Sequence, residues 1–353
     1  MNVEQLLAAA MEQGASDLHL TVGSPPVIRI DGALTRMDTN KLTPEDTETL
    51  VKSLLSDEQF QTLKDVGEVD FSYALPGTSR FRVNAYRQRG SYAMALRTIP
   101  IHIPSMDELH LPDVMHTLIN KRRGLILVTG PTGSGKSTTL AAMINYVNET
   151  RKEHIITLED PIEYLHKHNE SMVNQREIGT DSKSFGNSLR ASLRQDPDVI
   201  LVGEMRDLET ISTALTAAET GHLVLATLHT IGAPKTIDRI IDVFPPYQQQ
   251  QIRVQLAGVL EGIVSQQLIA REGTKGRRAA FEVMVATPAI RNLIREGKTH
   301  QILSVLQTGG QYGMVTMDKS LIALYEEGEI SKENLYRYAN DLQYVKTQIG
   351  STF

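Results

Sequence analysis

Four short, largely apolar runs constrain the fold of this chain more than any other feature. The runs are 125–128, 155–158, 199–202 and 223–226. Strands that are covered on both faces of a sheet have this continuous apolar character. The intervening segments, for example 137–147 and 210–219, are long enough for crossover helices. The pattern therefore predicts an α/β domain with a mainly parallel sheet and right-handed connections.

The first part of the chain has a different pattern. Short alternating segments predict strands, and Thr43 followed by Pro44 predicts a helix from 44 to about 56. The predicted strands are 16–22, 27–30, 71–73, 81–86 and 92–96, with turns at 31–32 and 89–91. We therefore predict a small α+β domain over 1–98, a proline-containing linker over 99–111 and a second domain over 112–353.

Composition excludes several classes of protein. The 353 residues include no cysteine, so disulfides, thiolate zinc sites and cysteine nucleophiles are excluded. The formal charge of −6 argues against wholesale binding of nucleic acid. The amino terminus lacks the basic region of a secretory signal, and the apolar runs are too short to span a bilayer. We expect a cytosolic protein with, at most, peripheral membrane association.

A glycine-rich segment between a predicted strand and a predicted helix matches the P-loop pattern, GPTGSGKS. Its backbone amides can surround phosphate oxygens at the positive end of the helix. Lys136 supplies a point charge for the β- and γ-phosphates, and the Ser137 hydroxyl can join a Mg²⁺ shell. We predict that this segment binds ATP with Mg²⁺. The candidate binding residues are Gly130, Pro131, Thr132, Gly133, Ser134, Gly135, Lys136, Ser137 and Thr138.

Acids and histidines follow or precede the other apolar runs, and parallel sheets place ligands at the carboxyl ends of strands. Glu204, after the run at 199–202, could hold Mg²⁺ through water. One of the three acids within 159–163 could orient or deprotonate a water molecule; a solvated loop is the alternative for both. His222 and His229 flank another run without zinc-ligand spacing, and a γ-phosphate contact is the favoured interpretation.

These motifs together resemble the family of secretion and pilus ATPases, and within it the branch that retracts type IV pili. The similarity extends over essentially the whole chain. It rests on the P-loop, an acidic segment similar to the family's Asp box (156–164), an atypical Walker B segment (202–207), a His box (220–230) and a carboxy-terminal segment, AIRNLIREGK, at 289–298. The longer amino-terminal region and four-cysteine motif of pilus assembly ATPases are not present.

The resemblance implies an ATP-hydrolysing homohexamer at the cytoplasmic face of the inner membrane, acting with a pilus platform protein and other pilus machine components. Each subunit would have a PAS-like amino-terminal domain and a RecA-like P-loop ATPase domain. Glu163 would be the catalytic base and Glu204 the Walker B acid, with His222 and His229 in the His box. Arg82 and Arg97 would reach a bound nucleotide; a solvated basic strand face is the alternative.

Three other functions stay open at this point. The chain could be an accessory pilus or type II secretion ATPase of the same family, moving another cargo with the same site. It could be a nucleotide-gated scaffold on an inner-membrane platform protein. A nucleic-acid translocase would rest on the arginines of 80–97 and the basic residues 121–123, but the negative overall charge argues against it.

Overall fold

The computed structural model describes residues 2–30, 32–75, 79–99 and 102–350. The chain divides into two compact units, one made of residues 1–102 with 163–165, the other of 103–162 with 166–353. This division falls within the predicted linker 99–111. Pro100 and Ile101 of that linker, and Asp31 of the predicted turn, lie outside the described residues.

The first unit is an α+β structure. Its elements are α1 (Val3–Glu12), β1 (Asp17–Leu20), β2 (Val27–Ile30), β3 (Ala33–Arg36), α2 (Pro44–Lys52), α3 (Asp57–Val66), β4 (Glu68–Leu75), β5 (Ser79–Gln88) and β6 (Ser91–Ile99). The strands form an antiparallel sheet in the order β3-β2-β1-β6-β5-β4. One face packs on the helices through Leu6, Leu7, Leu63, Phe81 and Val83.

The second unit contains the phosphate-loop candidate. Its elements are α4 (Val114–Ile119), β7 (Gly124–Thr129), α5 (Lys136–Thr150), β8 (His154–Glu159), β9 (Met172–Glu177), α6 (Phe185–Ser192), β10 (Val199–Val202), α7 (Leu208–Glu219), β11 (Leu223–Leu228), α8 (Ala233–Asp242), α9 (Pro246–Val259), β12 (Leu260–Ala270), β13 (Arg277–Val285), α10 (Pro288–Arg295), α11 (Ile302–Thr308), α12 (Met317–Glu326), α13 (Lys332–Tyr338) and α14 (Leu342–Gly350), with short 3₁₀ turns at Thr299–Gln301 and Gly309–Tyr312.

The strands of the second unit form a seven-stranded sheet in the order β13-β12-β7-β11-β10-β8-β9. Only the β12–β13 pair is antiparallel in this sheet. The four apolar runs are β7, β8, β10 and β11, which lie side by side and are almost fully buried. The predicted α/β fold with a mainly parallel sheet is therefore confirmed.

Helices cover both faces of this sheet. Leu125 and Leu127 of β7 face a core formed with α6 to α11, whereas Ile126 and Val128 face α4 and α5. The helices α12 to α14 have a smaller core with Ile269 and Ala280. In the described ranges, no helix combines the length and the apolar character needed to cross a membrane.

The structure has elements that the sequence patterns did not predict. The predicted helix 44–56 ends at Lys52, and a second helix, α3, follows with Ser56 as its N-cap. Strand β9 and the long β12–β13 hairpin were also missed. Polar residues interrupt the apolar pattern of β12 at Ser265, Gln266 and Gln267, although all three are buried. This interruption hid the strand.

Most of the carboxy-terminal segment 289–298 lies in α10, which ends at Arg295 and is followed by Gly297 with φ +69°. Ile290 and Ile294 are fully buried. Arg291 holds the helix in place, because its guanidinium donates to the carbonyls of Ala286, Ala257 and Gly258 at 2.7–2.9 Å. It also pairs with Glu261 at 2.8 Å. Arg291 therefore ties α10 to the junction between α9 and β12.

Replacing Arg291 with alanine is expected to destabilise the protein by about 2–4 kcal/mol, because three backbone carbonyls and the Glu261 carboxylate lose a charged donor. Urea unfolding followed by circular dichroism measures this loss. Arg295→Ala, on the exposed side of the same helix, is the matched control and should change stability by less than about 0.5 kcal/mol. Equal effects of the two changes would contradict the anchoring role.

Candidate functional site

The glycine-rich loop at 130–135 follows β7 and lies against β12. Gly130 has φ +145°, and a Cβ there would be 2.3 Å from the Gln266 carbonyl oxygen. Gly135 has φ +89°, and a Cβ there would be 2.8 Å from the Gln266 side-chain nitrogen. Both positions have a backbone conformation that favours glycine. At Gly130 the contact is with the Gln266 backbone and excludes a Cβ, whereas at Gly135 it is with the end of the Gln266 side chain. The loop is thus packed directly on the neighbouring strand.

Gln266 of β12 clamps this loop. Its buried amide nitrogen donates to the Ser134 carbonyl at 2.7 Å, and its amide oxygen accepts from the Thr139 hydroxyl at 2.8 Å. One side chain thereby fixes both the loop and the first turns of α5. Sequence reasoning missed this residue, and the signal available was three consecutive polar residues inside a strand.

The start of α5 is arranged to receive an anion. Gly135 is the N-cap and supplies no side-chain cap, so the first amides of the helix have no capping side chain at that position. Lys136 is buried, and its Nζ donates to the carbonyls of Gly130 and Pro131 at 3.0 and 3.1 Å. The Ser134 hydroxyl is buried without a hydrogen-bond partner in the described structure. These groups fit the phosphate chain of a nucleotide.

The remaining loop residues are placed in keeping with this arrangement. Pro131, Thr132 and Gly133 are exposed at the tip of the loop. Ser137 and Thr138 are half-buried in the first turn of α5. The Ser137 hydroxyl therefore lies at the helix end where a phosphate-bound metal would be needed.

A cavity of about 190 Å³ opens beside the phosphate loop. It is lined by His110 and Leu111 ahead of α4, Thr138 of α5, Gln266 of β12 and Arg278 of β13, among others. Pockets that enclose a whole drug-sized ligand are typically about 300–1,000 Å³. The smaller volume suits a single ring system adjoining the phosphate loop.

Glu204 follows β10 and is mostly buried. Its Oε1 accepts from Nε of Arg206 and is 3.2 Å from Nε2 of His229, which follows β11. The segment is held in place because Met205 donates its backbone N–H to the Thr227 carbonyl at 3.1 Å. The structure thus brings Glu204 and His229 together at the sheet edge where the phosphate loop leaves β7.

Charge at this edge shifts the pKa of Glu204. Burial by itself would raise this pKa, but the hydrogen bond from Arg206 and the charge of His229 outweigh it, and the pKa is lowered from its usual value of 4.5. The hydrogen bond to Glu204, with a weaker contribution from Asp160, raises the pKa of Arg206. Glu204 is therefore held as a carboxylate, which is the form that a metal ion requires.

His222 lies elsewhere. It precedes β11, and its Nδ1 is 2.9 Å from the Ala217 carbonyl oxygen. The six residues of β11 separate it from His229, a distance of about 20 Å at the usual rise of a strand. The structure therefore does not bring His222 to the phosphate loop of its own chain, and its part in the site stays a prediction.

The three acids at the end of β8 and just after it, Glu159, Asp160 and Glu163, differ in their surroundings. Glu159 accepts from the Thr157 hydroxyl at 2.6 Å and from the Gln175 amide at 3.1 Å, contacts that suit a structural role. Glu163 is exposed and belongs to the 163–165 segment of the first unit. The assignment of Glu163 as catalytic base stays a prediction.

Arg82 and Arg97 are exposed cross-strand neighbours on β5 and β6 of the first unit. Asp17 of β1 is next in the same row and accepts from Arg97 Nε at 2.8 Å. Burial would raise the pKa of Asp17, but hydrogen bonds from Arg97 and Ser16 outweigh it, and the pKa is lowered. The carboxylate thus offsets part of the positive charge that the two arginines concentrate on this face. Nucleotide contact by these arginines stays a prediction.

Comparison with known proteins agrees with this geometry. The family model described as type II/IV secretion system protein matches residues 1–337. The chain is 51% identical over 334 residues to the type IV pilus retraction ATPase PilT of Pseudomonas aeruginosa, covering 95% of this chain and 97% of that protein. It is 50% identical over 316 residues to a twitching motility protein of Neisseria gonorrhoeae, covering 90% and 84% respectively.

A solved structure has the same fold. The crystal structure of the pilus retraction motor PilT with bound ADP superposes with a TM-score of 0.93 at 51% identity, covering 98% of this chain and 99% of that one. The fold and the phosphate loop define the class of this chain, a P-loop nucleotide-binding protein. Within that class, it belongs to the type II/IV secretion system protein family.

Replacing Gln266 with leucine is expected to lower the affinity for a fluorescent ATP analogue by about tenfold or more, because the buried Ser134 carbonyl and Thr139 hydroxyl lose their partners. Fluorescence titration measures this affinity. Gln267→Leu, whose side chain lies on the opposite face of β12, is the control and should bind normally. Unchanged affinity in Gln266→Leu would show that the clamp does not shape the loop.

The lowered pKa of Glu204 predicts a pH-dependent contribution to stability. Because the folded-state pKa lies below the unfolded value of 4.5, this stabilisation is fully present above that value and is lost as the pH falls through the lowered pKa. Urea midpoints between about pH 3 and 6 should decline less steeply with acid in Glu204→Gln than in the unaltered protein. The exposed change Glu326→Gln should leave the profile unaltered, and parallel profiles for all three proteins would refute the linkage.

Proposed function

We propose that this chain is an ATP-hydrolysing motor that drives the retraction of type IV pili. The observation that carries the proposal is the phosphate loop, clamped by Gln266 at the same sheet edge as Glu204. The 51% identity to a pilus retraction ATPase over nearly the whole of both chains supports pilus retraction as the process that ATP hydrolysis would drive.

The phosphates of ATP would lie in the loop 130–135, against the amides that begin α5 and beside Lys136. The base would occupy the cavity next to Gln266 and Arg278. The position of Lys136, whose Nζ is within 3.1 Å of two loop carbonyls, supports this arrangement because a phosphate oxygen could replace either contact.

The site suits Mg²⁺. Ser137 would hold it directly and Glu204 through water, since the hydrogen bonds that Glu204 makes within the described structure end on Oε1 and leave Oε2 for that water. When bound, Mg²⁺ neutralises charge on the β- and γ-phosphates. Arg206 and His229 keep the Glu204 carboxylate charged and oriented.

Hydrolysis needs a group that orients or deprotonates water. Glu163 is the proposed base, and the guanidinium groups of Arg82 and Arg97 would stabilise charge on the transferred phosphate, from the same or a neighbouring subunit. His222 and His229 are the proposed sensors of the phosphate state.

The proposed assembly is a homohexamer at the cytoplasmic face of the inner membrane. It would act on a membrane platform protein of the pilus machine and couple hydrolysis to mechanical work. Electron microscopy of the purified protein with and without ATP tests the assembly, since a six-membered ring is expected. Restoration of twitching motility to a retraction-deficient strain tests the cargo, and failure to restore it would favour an accessory or secretion role.

Two substitutions separate nucleotide binding from hydrolysis. Lys136→Gln is expected to weaken binding of ATP, because the charge beside the phosphates is lost. Glu163→Gln is expected to bind ATP normally but to hydrolyse it about 10²–10⁴-fold more slowly, because a general base is lost. Phosphate release and fluorescence titration measure the two quantities.

Glu326→Gln removes an exposed carboxylate from α12 and is the control for both assays. Normal turnover in Glu163→Gln would remove Glu163 as the base without affecting the binding site. Negligible hydrolysis by the unaltered protein with intact ATP binding would instead favour the nucleotide-gated scaffold.

A further inference from the structure

Three buried polar residues form a row across the second unit's sheet, and the proposed reaction uses none of them. Thr129 of β7 is in register with Ser265 of β12, which is in register with Glu282 of β13. They are 0%, 1% and 3% exposed. The Thr129 hydroxyl donates to the Ser265 hydroxyl oxygen at 3.1 Å. Thr129 immediately precedes the phosphate loop.

The row holds the segment that carries His229. This segment, residues 229–232, is called the His229 loop. Its last amide, on Gly232, donates to the Ser265 hydroxyl oxygen at 2.9 Å, and the next amide, on Ala233, donates to Glu282 Oε1 at 2.8 Å. Gly232 has φ +87° and gives α8 no side-chain cap. Glu282 of β13 therefore caps the amino terminus of α8.

The strand that bears Glu282 also holds a second helix. The backbone amide of Met317, the first residue of α12, stabilises the charged form of the Glu282 carboxylate and lowers its pKa. The adjoining Val315 pairs with Val283 of β13 through two backbone hydrogen bonds, at 2.9 and 3.2 Å. The start of α12 is thereby fixed to the strand that bears Glu282.

The remaining carboxy-terminal helices are attached to α12. Asp318, in its first turn, accepts from the amides of Asn340 and Asp341 at 2.7 and 3.0 Å. Asn340 and Asp341 join α13 to α14. Glu282 and the backbone of its neighbour Val283 therefore link the His229 loop, through β13, to the carboxy-terminal helices.

Burying a carboxyl group at position 282 has a desolvation cost. Burial raises the pKa of Glu282, two backbone amides lower it, and Asp318 raises it again, with a net increase. A neutral side chain would avoid the desolvation, but a carboxylate can interact with the amino-terminal amides of α8 and α12 at once. Glu282 thus connects two helices, and its role is not simply to fill space in the core.

We propose that Glu282 is a positioning residue for ATP hydrolysis, which fixes the His229 loop, and with it the contact between His229 and Glu204, to the start of α12. The inference rests on the proposed function, because it supplies the reaction that Glu282 supports. It also assigns the carboxy-terminal helices a route to the catalytic edge that runs through the Glu282 carboxylate and the backbone of β13.

Two kinds of substitution test it. Glu282→Gln keeps the shape and one acceptor, but places an amide NH₂ against one of the two backbone donors. Met317→Pro removes the α12 donor itself. Proline is favoured at the first helical position, and the preceding Thr316 has the extended backbone that proline requires (φ −82°, ψ 154°). Met317→Ala is the matched control, since it loses the buried side chain and keeps the amide.

In both Glu282→Gln and Met317→Pro, kcat for ATP should fall about 10- to 100-fold relative to Met317→Ala, the scale expected of misplaced catalytic groups. KM should change by less than about threefold, because the phosphate loop stays in place. Amide hydrogen exchange over 229–236, without nucleotide, should be about tenfold faster than in Met317→Ala.

Exchange over 229–236 that equals the Met317→Ala rate in both variants would overturn the inference, whatever the activity. Equal kcat in Met317→Pro, Met317→Ala and the unaltered protein would also overturn it. If the unaltered protein fails to hydrolyse ATP but the exchange rates rise as described, the proposed function fails and the connection through Glu282 stands.

Discussion

The contact between the phosphate loop and β12 is the constraint on which the site of the second unit depends. Gly130 and Gly135 both lie close to Gln266, whose backbone leaves no room for a Cβ at Gly130. The Gln266 amide bridges the loop to α5. Because β12 pairs with both β7 and β13, the loop conformation is set by three strands. The shape of the nucleotide site is thus a property of the sheet rather than of the glycine-rich sequence alone.

The chemistry of the second unit is concentrated at one edge of a sheet whose interior is apolar. The strands β7, β10 and β11 are buried throughout, and polar side chains follow where they end. At that edge Glu204 is charged and held by Arg206 and His229. The row from Thr129 to Glu282 crosses β7, β12 and β13, and its hydrogen bonds support the loop that carries His229. Rigid strands thereby fix groups that loops alone would leave variable.

The sequence was informative where local pattern and burial coincide. Strands covered on both faces must be apolar, so the four runs predicted the centre of the sheet, and the P-loop pattern located the turn after β7. Strands β12 and β13 were not predicted, because their buried polar residues form hydrogen bonds with partners that are distant in the sequence. Gln266 bonds Ser134 across 132 positions and Glu282 bonds Ala233 across 49. Such pairings follow from strand register, which local periodicity does not encode; the catalytic roles of Glu163, Arg82, Arg97 and His222 stay predictions.

The pair formed by Asp17 and Arg97 in the first unit has a consequence for anion capture. A solvent-exposed arginine normally samples many rotamers, and ordering it on a ligand costs up to about 2 kcal/mol of conformational entropy. Arg97 is 70% exposed, yet its Nε is tethered to the carboxylate of a neighbouring strand. The aliphatic part of the Arg97 side chain has therefore lost part of its conformational freedom before any ligand binds. Its two terminal nitrogens are pre-organised for planar, bidentate hydrogen bonding to an oxyanion.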